Sequence, residues 1–171
     1  MDSKNIVKTT FIIYRFLDKL TRSIDRKIMS RAVNSFYVSE KLLQNGVWEV
    51  SEDIIDLMDK KVEFINLKLL VEKSLTLLPR NLSRLLIMKY IDGVSNEFIS
   101  QRLGLTNRTF FRQVSQALAW ASKAMKHLGF EEDRLMDIFQ KDKWVMGVLT
   151  SVSSNHIDAN YISSLTYELA K

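Results

Sequence analysis

Four polar residues near the middle of the chain have the chemistry to read a base pair: Asn107, Arg108, Arg112 and Ser115. At helical spacing they fall on or near one side, while Phe110, Val114, Ala117 and Ala121 share the other. A guanidinium fork bonds guanine in a bidentate way, and an asparagine amide does the same with adenine. Arginine also grips phosphate oxygens. Phe111 lies between the two faces, where its ring either meets a thymine methyl or packs against a neighbouring helix. Arg102, Lys123 and Lys126 add positive charge at distances suited to phosphate contacts. The chemistry implied is recognition of double-stranded DNA, with no bond made or broken.

Reactive constellations are missing from the sequence. There is no glycine-rich phosphate loop and no HExxH. The two histidines, His127 and His156, are far apart and lack neighbouring ligands. His127 falls late in a helix, where a partial positive charge is favourable. The acidic runs Glu52-Asp53 and Glu131-Glu132-Asp133 stand at expected helix starts, which accounts for them without catalysis. With no cysteine, there is neither a disulfide nor a thiolate metal site. No enzyme, metal or cofactor is expected.

The elements that hold the polar residues follow from local signals. Leu82, Leu85, Leu86 and Tyr90 form an apolar run behind Leu78-Pro79, and proline suits a first helical position. Asp92-Gly93 ends that helix. Ser95 caps a short second helix, about Asn96 to Leu103, with Glu97 in its first turn. Gly104 supplies a tight turn, and Thr106 caps a longer helix, about Asn107 to Lys126. Short helix, turn of about three residues, longer helix: this is the order of a helix-turn-helix, whose second helix enters the major groove.

Several residues in order resemble region 4 of sigma-70-type factors. They are Leu78-Pro79, Arg84, Tyr90-Ile91-Asp92-Gly93-Val94-Ser95, Ile99, Leu103-Gly104-Leu105-Thr106, Thr109-Phe110 and Ala117-Leu118. Thr109-Phe110-Phe111-Arg112, Ala117-Leu118-Ala119, Ala121 and Leu128-Gly129-Phe130 are also similar to the ArpU-type phage regulators of late transcription. The resemblance covers about a third of the chain. It implies a bacterial or phage transcription regulator with Asn107, Arg108, Phe111 and Arg112 facing DNA, and RNA polymerase as a further partner. Residues 1–74 lack the acidic and aromatic pattern of sigma region 2. Phe98 stands where that family carries an acid, and Gln113, Gln116 and Trp120 stand where Lys or Arg is common. Two alternatives therefore stay open: a divergent stand-alone sigma factor, and an interaction module that keeps the fold without binding DNA.

Composition frames the rest. The chain has 171 residues, 46% of them hydrophobic, with one proline and five glycines, which favours long helices with few turns. No stretch approaches the ~18 uninterrupted apolar residues of a membrane span, and the Lys4/Lys8 start lacks a cleavage pattern; a cytoplasmic protein is expected. Charge is uneven. Residues 75–130 hold eight Lys/Arg against two Asp/Glu, and residues 1–50 hold nine against five. Residues 51–74 and 131–171 are net acidic.

The expected fold is all-α, a helical bundle with three parts: an N-terminal region 1–74, the helix-turn-helix domain 75–130 and an extension 131–171. In the first part, residues 9–44 are helical, the first helix with an apolar stripe through Ile13, Phe16, Leu17, Leu20, Ile24 and Ile28 and a basic ridge at Arg15, Lys19, Arg22 and Arg26. A further helix, Phe36 to Leu43, stops at Asn45-Gly46. The next starts at Ser51 and buries Ile54, Met58, Val62, Ile65 and Leu69. The extension reads as one helical stretch from Glu131 to Val152, a polar break over Ser151 to Asn155, and a last helix from Asp158 to Ala170. Trp144, Val145, Val148 and Leu149 form either core or the contact of a homodimer.

Overall fold

The computed structural model describes residues 3–35 and 43–155. All regular structure among them is helical: α1 (Ser3–Tyr14), α2 (Leu17–Ser35), α3 (Leu43–Leu77), α4 (Arg80–Leu86), a π-helical turn (Ile87–Ile91), α5 (Asn96–Leu103), α6 (Asn107–His127), α7 (Glu132–Gln140) and α8 (Lys143–Ser153). No helix among the described residues is long and apolar enough to cross a membrane. The expected helices over 36–42 and 158–170 lie outside the described residues.

The chain forms two compact units, Met1–Phe16 with Leu67–Lys171, and Leu17–Asn66. These do not coincide with the three expected segments, because the N-terminal helix joins the larger unit. Helix α1 is the centre of that unit and packs on α6, α7, α8 and the π turn. Ile6, Val7, Phe11, Ile12 and Ile13 are all at most 2% exposed, and Thr9 and Thr10 are equally enclosed. A helix that is apolar nearly all round belongs inside a protein. The Thr10 hydroxyl satisfies itself by donating to the Ile6 carbonyl, 2.9 Å away.

The first helix expected within 9–44 is therefore two. The break falls at Arg15-Phe16, where the Phe16 amide donates to the Ile13 carbonyl at 2.8 Å. The Phe11–Ile13 run at the end of α1 has no polar face to carry a helix along the surface, so the chain leaves the core before α2. On α2, Leu17, Leu20 and Ile24 are buried, and Lys19, Arg22 and Arg26 are exposed. Within the smaller unit α2 and the first part of α3 run antiparallel, tied by Lys61–Asp25 at 2.6 Å and Arg31–Asp53 at 3.3 Å.

Helix α3 overturns two expectations. It runs through Asn45-Gly46 and through Ser51, so there is neither a stop nor a fresh start. Carrying a helix past one glycine costs about 1 kcal/mol. Renucleating after a break costs about 4 kcal/mol, from a nucleation constant near 10⁻³. The buried face is also a different one. Met58, Val62, Ile65 and Leu69 are 42–55% exposed, while Phe64, Leu67, Leu70, Val71 and Ser74 are enclosed. The helix carries two apolar stripes, and periodicity alone does not say which one is covered.

Around the candidate site the larger unit follows local signals closely. Pro79 lies one position before α4 and accepts the first turn's bond from the Ser83 amide at 2.9 Å. The expected α-helix from Pro79 to Tyr90 widens after Leu86 into the π turn, where the Asp92 amide donates to the Ile87 carbonyl five residues back. Gly93, at φ +67°, ends it.

The stretch from Glu131 to Val152 is also two helices. Asp142 interrupts it, and its carboxylate accepts from the Trp144 and Val145 amides at 2.9 and 3.1 Å, an N-cap. Helix α8 continues to Ser153, three residues into the expected polar break, with the Ser151 and Ser153 hydroxyls donating to carbonyls four residues back. Val145, Val148, Leu149 and Val152 are core, at 0–3% exposure, and Trp144 lies edge-on to Phe16 with centroids 5.4 Å apart. Val145, Val148 and Leu149 are thus spent inside the larger unit, and Trp144 is half-buried beside them.

Candidate nucleic-acid interface

The site is built by α5, the three-residue turn Gly104–Thr106 and α6. Ser95 caps α5, its hydroxyl accepting from the Phe98 amide at 3.4 Å. At the other end Gly104 is left-handed, at φ +62° and ψ +34°. The Leu105 amide reaches back to the Ser100 carbonyl at 2.9 Å and the Gly104 amide to Gln101 at 3.2 Å. That pair of bonds is the Schellman closure, and it needs a residue that tolerates positive φ. Thr106 then caps α6, accepting from the Thr109 amide at 3.3 Å. Every bend of the segment is thus set by a residue that the chain carries at that position.

Helix α6 is seated by one face. Phe110, Val114, Ala117, Leu118, Ala121, Ala124 and Met125 are buried, and α6 packs on α4 and α1. Opposite that face, Arg108, Arg112, Ser115, Ala119, Lys123 and Lys126 form an exposed stripe that is charged at four of its six positions. Asn107 is exposed beside it, and Arg102 is exposed in the last turn of α5. The first turn of α6 contains no acid, so its positive dipole end adds to these charges.

The stripe does not act as one surface along its length. At 1.5 Å per residue Lys123 lies about 22 Å along the axis from Arg108, and Lys126 about 27 Å. A major groove is about 12 Å wide. Only Asn107 through about Gln116 fit inside one groove, and Lys123 and Lys126 reach the flanking backbone at most. Lys126 is further committed to Glu132, at 3.2 Å. Phe111 is 55% exposed, its ring edge-on to Phe110 with centroids 5.2 Å apart.

Three lysines were not foreseen at this site. Lys4 of α1 donates to the Ser115 hydroxyl at 3.3 Å, so the N-terminal helix brings charge beside α6 from 111 positions away in sequence. Lys8, one turn further along α1, donates to Asn5 at 3.4 Å. Lys89, on the π turn, lies beneath: its ammonium faces the rings of Tyr90 and Phe110, 5.4 Å from each centroid, and donates to the Asn96 side-chain oxygen. Burial, then the charge of Lys8, lower its pKa to about 8, against a smaller opposing pull from Glu97. Burial also pushes the Tyr90 phenol up. A basic pair one turn apart, Lys4 and Lys8, is visible in the sequence. Its place beside α6 is a tertiary fact.

Among the described residues no group of three or more His, Asp or Glu could hold a metal ion. No protein-family model matches the chain, and comparison with curated proteins and with solved structures likewise gives no match.

Proposed function

We propose that the protein is a sequence-specific DNA-binding regulator of transcription, with α5, the Gly104 turn and α6 acting as a helix-turn-helix. The observation that carries this reading is the stripe on α6. Arg108 and Arg112 project from its first two turns, opposite a fully buried face, on a helix held at its start by a Thr106 cap and a left-handed glycine turn. Asn107, Arg108 and Arg112 contact base edges. Ser115 and Phe111 line the same groove, and Arg102 and Lys4 contact phosphates. Each bidentate arginine contributes about 1–3 kcal/mol of discrimination between bases. The proposed place of work is the cytoplasm, where such a regulator meets DNA and RNA polymerase.

Selection from a random pool of duplex DNA, at two salt concentrations, tests this. A specific reader enriches a short motif at both salts. Binding that selects nothing and vanishes with salt is the phosphate term alone and refutes the reading.

One observation favours a second reading, an interaction module. Phe98, Phe111 and Trp120 are 46–55% exposed on α5 and α6, and aromatic side chains are enriched where proteins meet. In that case R108A and R112A leave biological activity unchanged while F98A or W120A removes it.

A further inference from the structure

The smaller unit leaves an apolar stripe uncovered on the first part of α3. Trp48, Ile55, Met58, Val62 and Ile65 are 74, 56, 53, 55 and 42% exposed. Their spacing is that of a coiled-coil seam. Trp48, Ile55 and Val62 recur every seven residues, and Met58 and Ile65 repeat at seven in the alternate position, three residues after Ile55 and Val62. Glu52, Asp59 and Asn66 flank the seam on one rim, and Ile54 and Lys61 on the other, where the Lys61 ammonium also pairs with Asp25 of α2. A stripe this narrow fits another helix rather than a broad pocket.

We propose that this seam is a dimerisation surface, occupied by the same stretch of a second copy of this chain in a parallel two-stranded coiled coil. Area supports a second copy. At roughly 150–250 Å² for a fully exposed side chain of this size, the five residues leave about 500 Å² of apolar surface per copy. Two copies together bury about 1,000 Å² before any rim is counted, the area that a biological interface has to clear. A patch of that size is at the upper end of what a monomer exposes and is often functional.

Charge decides the direction. In an antiparallel pair like rims meet, so Glu52 or Asp59 faces Asp59 of the other copy in the registers that bury all five residues. In a parallel pair opposite rims meet, placing Lys61 against Asn66 and Ile54 against Asp59, with no like-charge pair. The proposal is independent of whether α6 binds DNA.

Sedimentation of the full chain is the first test, at about 10–100 μM. The wild-type chain is expected to sediment as a dimer. The double variant Ile55→Glu with Val62→Glu is expected to sediment as a monomer with unchanged helical circular dichroism, since both sites face solvent in the single chain. A monomeric wild type, or a double variant that remains dimeric, overturns the proposal. Ser51→Cys tests the direction without touching the five apolar residues, because the chain has no other cysteine. Residue 51 meets its own counterpart in the parallel pair. In the antiparallel registers the two copies are separated by at least 11 residues along the axis, about 16 Å. Near-complete disulfide-linked dimer under mild oxidation supports the parallel pair. A dimer by sedimentation that does not cross-link refutes it.

Discussion

Replacing Lys89 by methionine should raise stability at neutral pH and remove a pH dependence that the wild type shows. Lys89 is an ammonium held mostly out of water between Tyr90, Phe110 and Asn96. Its pKa falls from 10.5 to about 8. Between those two values the unfolded chain binds one more proton than the folded chain, so stability rises with pH across that window. Below pH 8 both states are protonated, and the full cost of the buried charge is present. Taken at 1.36 kcal/mol per unit, the cost is about 3 kcal/mol as an upper bound, and access to water on the open side reduces it. The wild type should therefore gain about 1–2 kcal/mol between pH 7.5 and 9.5. Tyr90 titrates with the opposite sign, but only above pH 10, because its phenol is buried neutral and the unfolded chain ionises first. Urea unfolding followed by circular dichroism, at pH 7.5 and 9.5, reads the difference. Methionine keeps the packing against both rings, so K89M should be more stable at pH 7.5 and flatter between the two pH values. Equal pH dependence in the two proteins would refute a desolvated charge at Lys89.

Other perturbations separate recognition from folding. Arg112→Ala should weaken DNA binding about 10- to 100-fold and relax preference at one base pair, with thermal stability unchanged; the check is titration of the selected duplex alongside a melt. If Lys4 contacts phosphate, as proposed, Lys4→Ala should weaken all duplexes equally and make the salt slope shallower by about one. Gly104→Ala should cost about 1–2 kcal/mol through its positive φ, because nothing lies within 4 Å of an added Cβ; a loss below about 0.3 kcal/mol by urea unfolding would refute the strain. Asp142→Ala should cost about 1 kcal/mol by removing the cap of α8, measured in the same way.

The candidate site was legible in the sequence to the extent that it is local. Ser95, Gly104 and Thr106 act on backbone groups within five residues of themselves, and they bound α5 and α6 where the sequence places them. The buried face of α6 was legible for a related reason: Phe110, Val114, Ala117 and Ala121 lie on its most continuous apolar stripe. Lys4 and Lys89 were not legible as part of the site. Nothing near Lys4 in sequence states that α1 packs on α6, and Lys89 looks like any solvent-facing lysine until the π turn sets it against two rings.

By itself the sequence determined the all-helical class and the caps and turn of α5 and α6, because hydrogen-bond closure at helix ends and one-sided hydrophobic spacing are decided within a few residues. Tertiary structure alone decided that α1 is a core helix, that α3 runs unbroken, that Phe64 and Leu67 rather than Val62 and Ile65 are covered, and that Val145, Val148 and Leu149 face inward. The physical reason is the same in each case. A chain with several apolar stripes gains a similar free energy from burying any of them, and only the partners supplied by distant segments select which one leaves water.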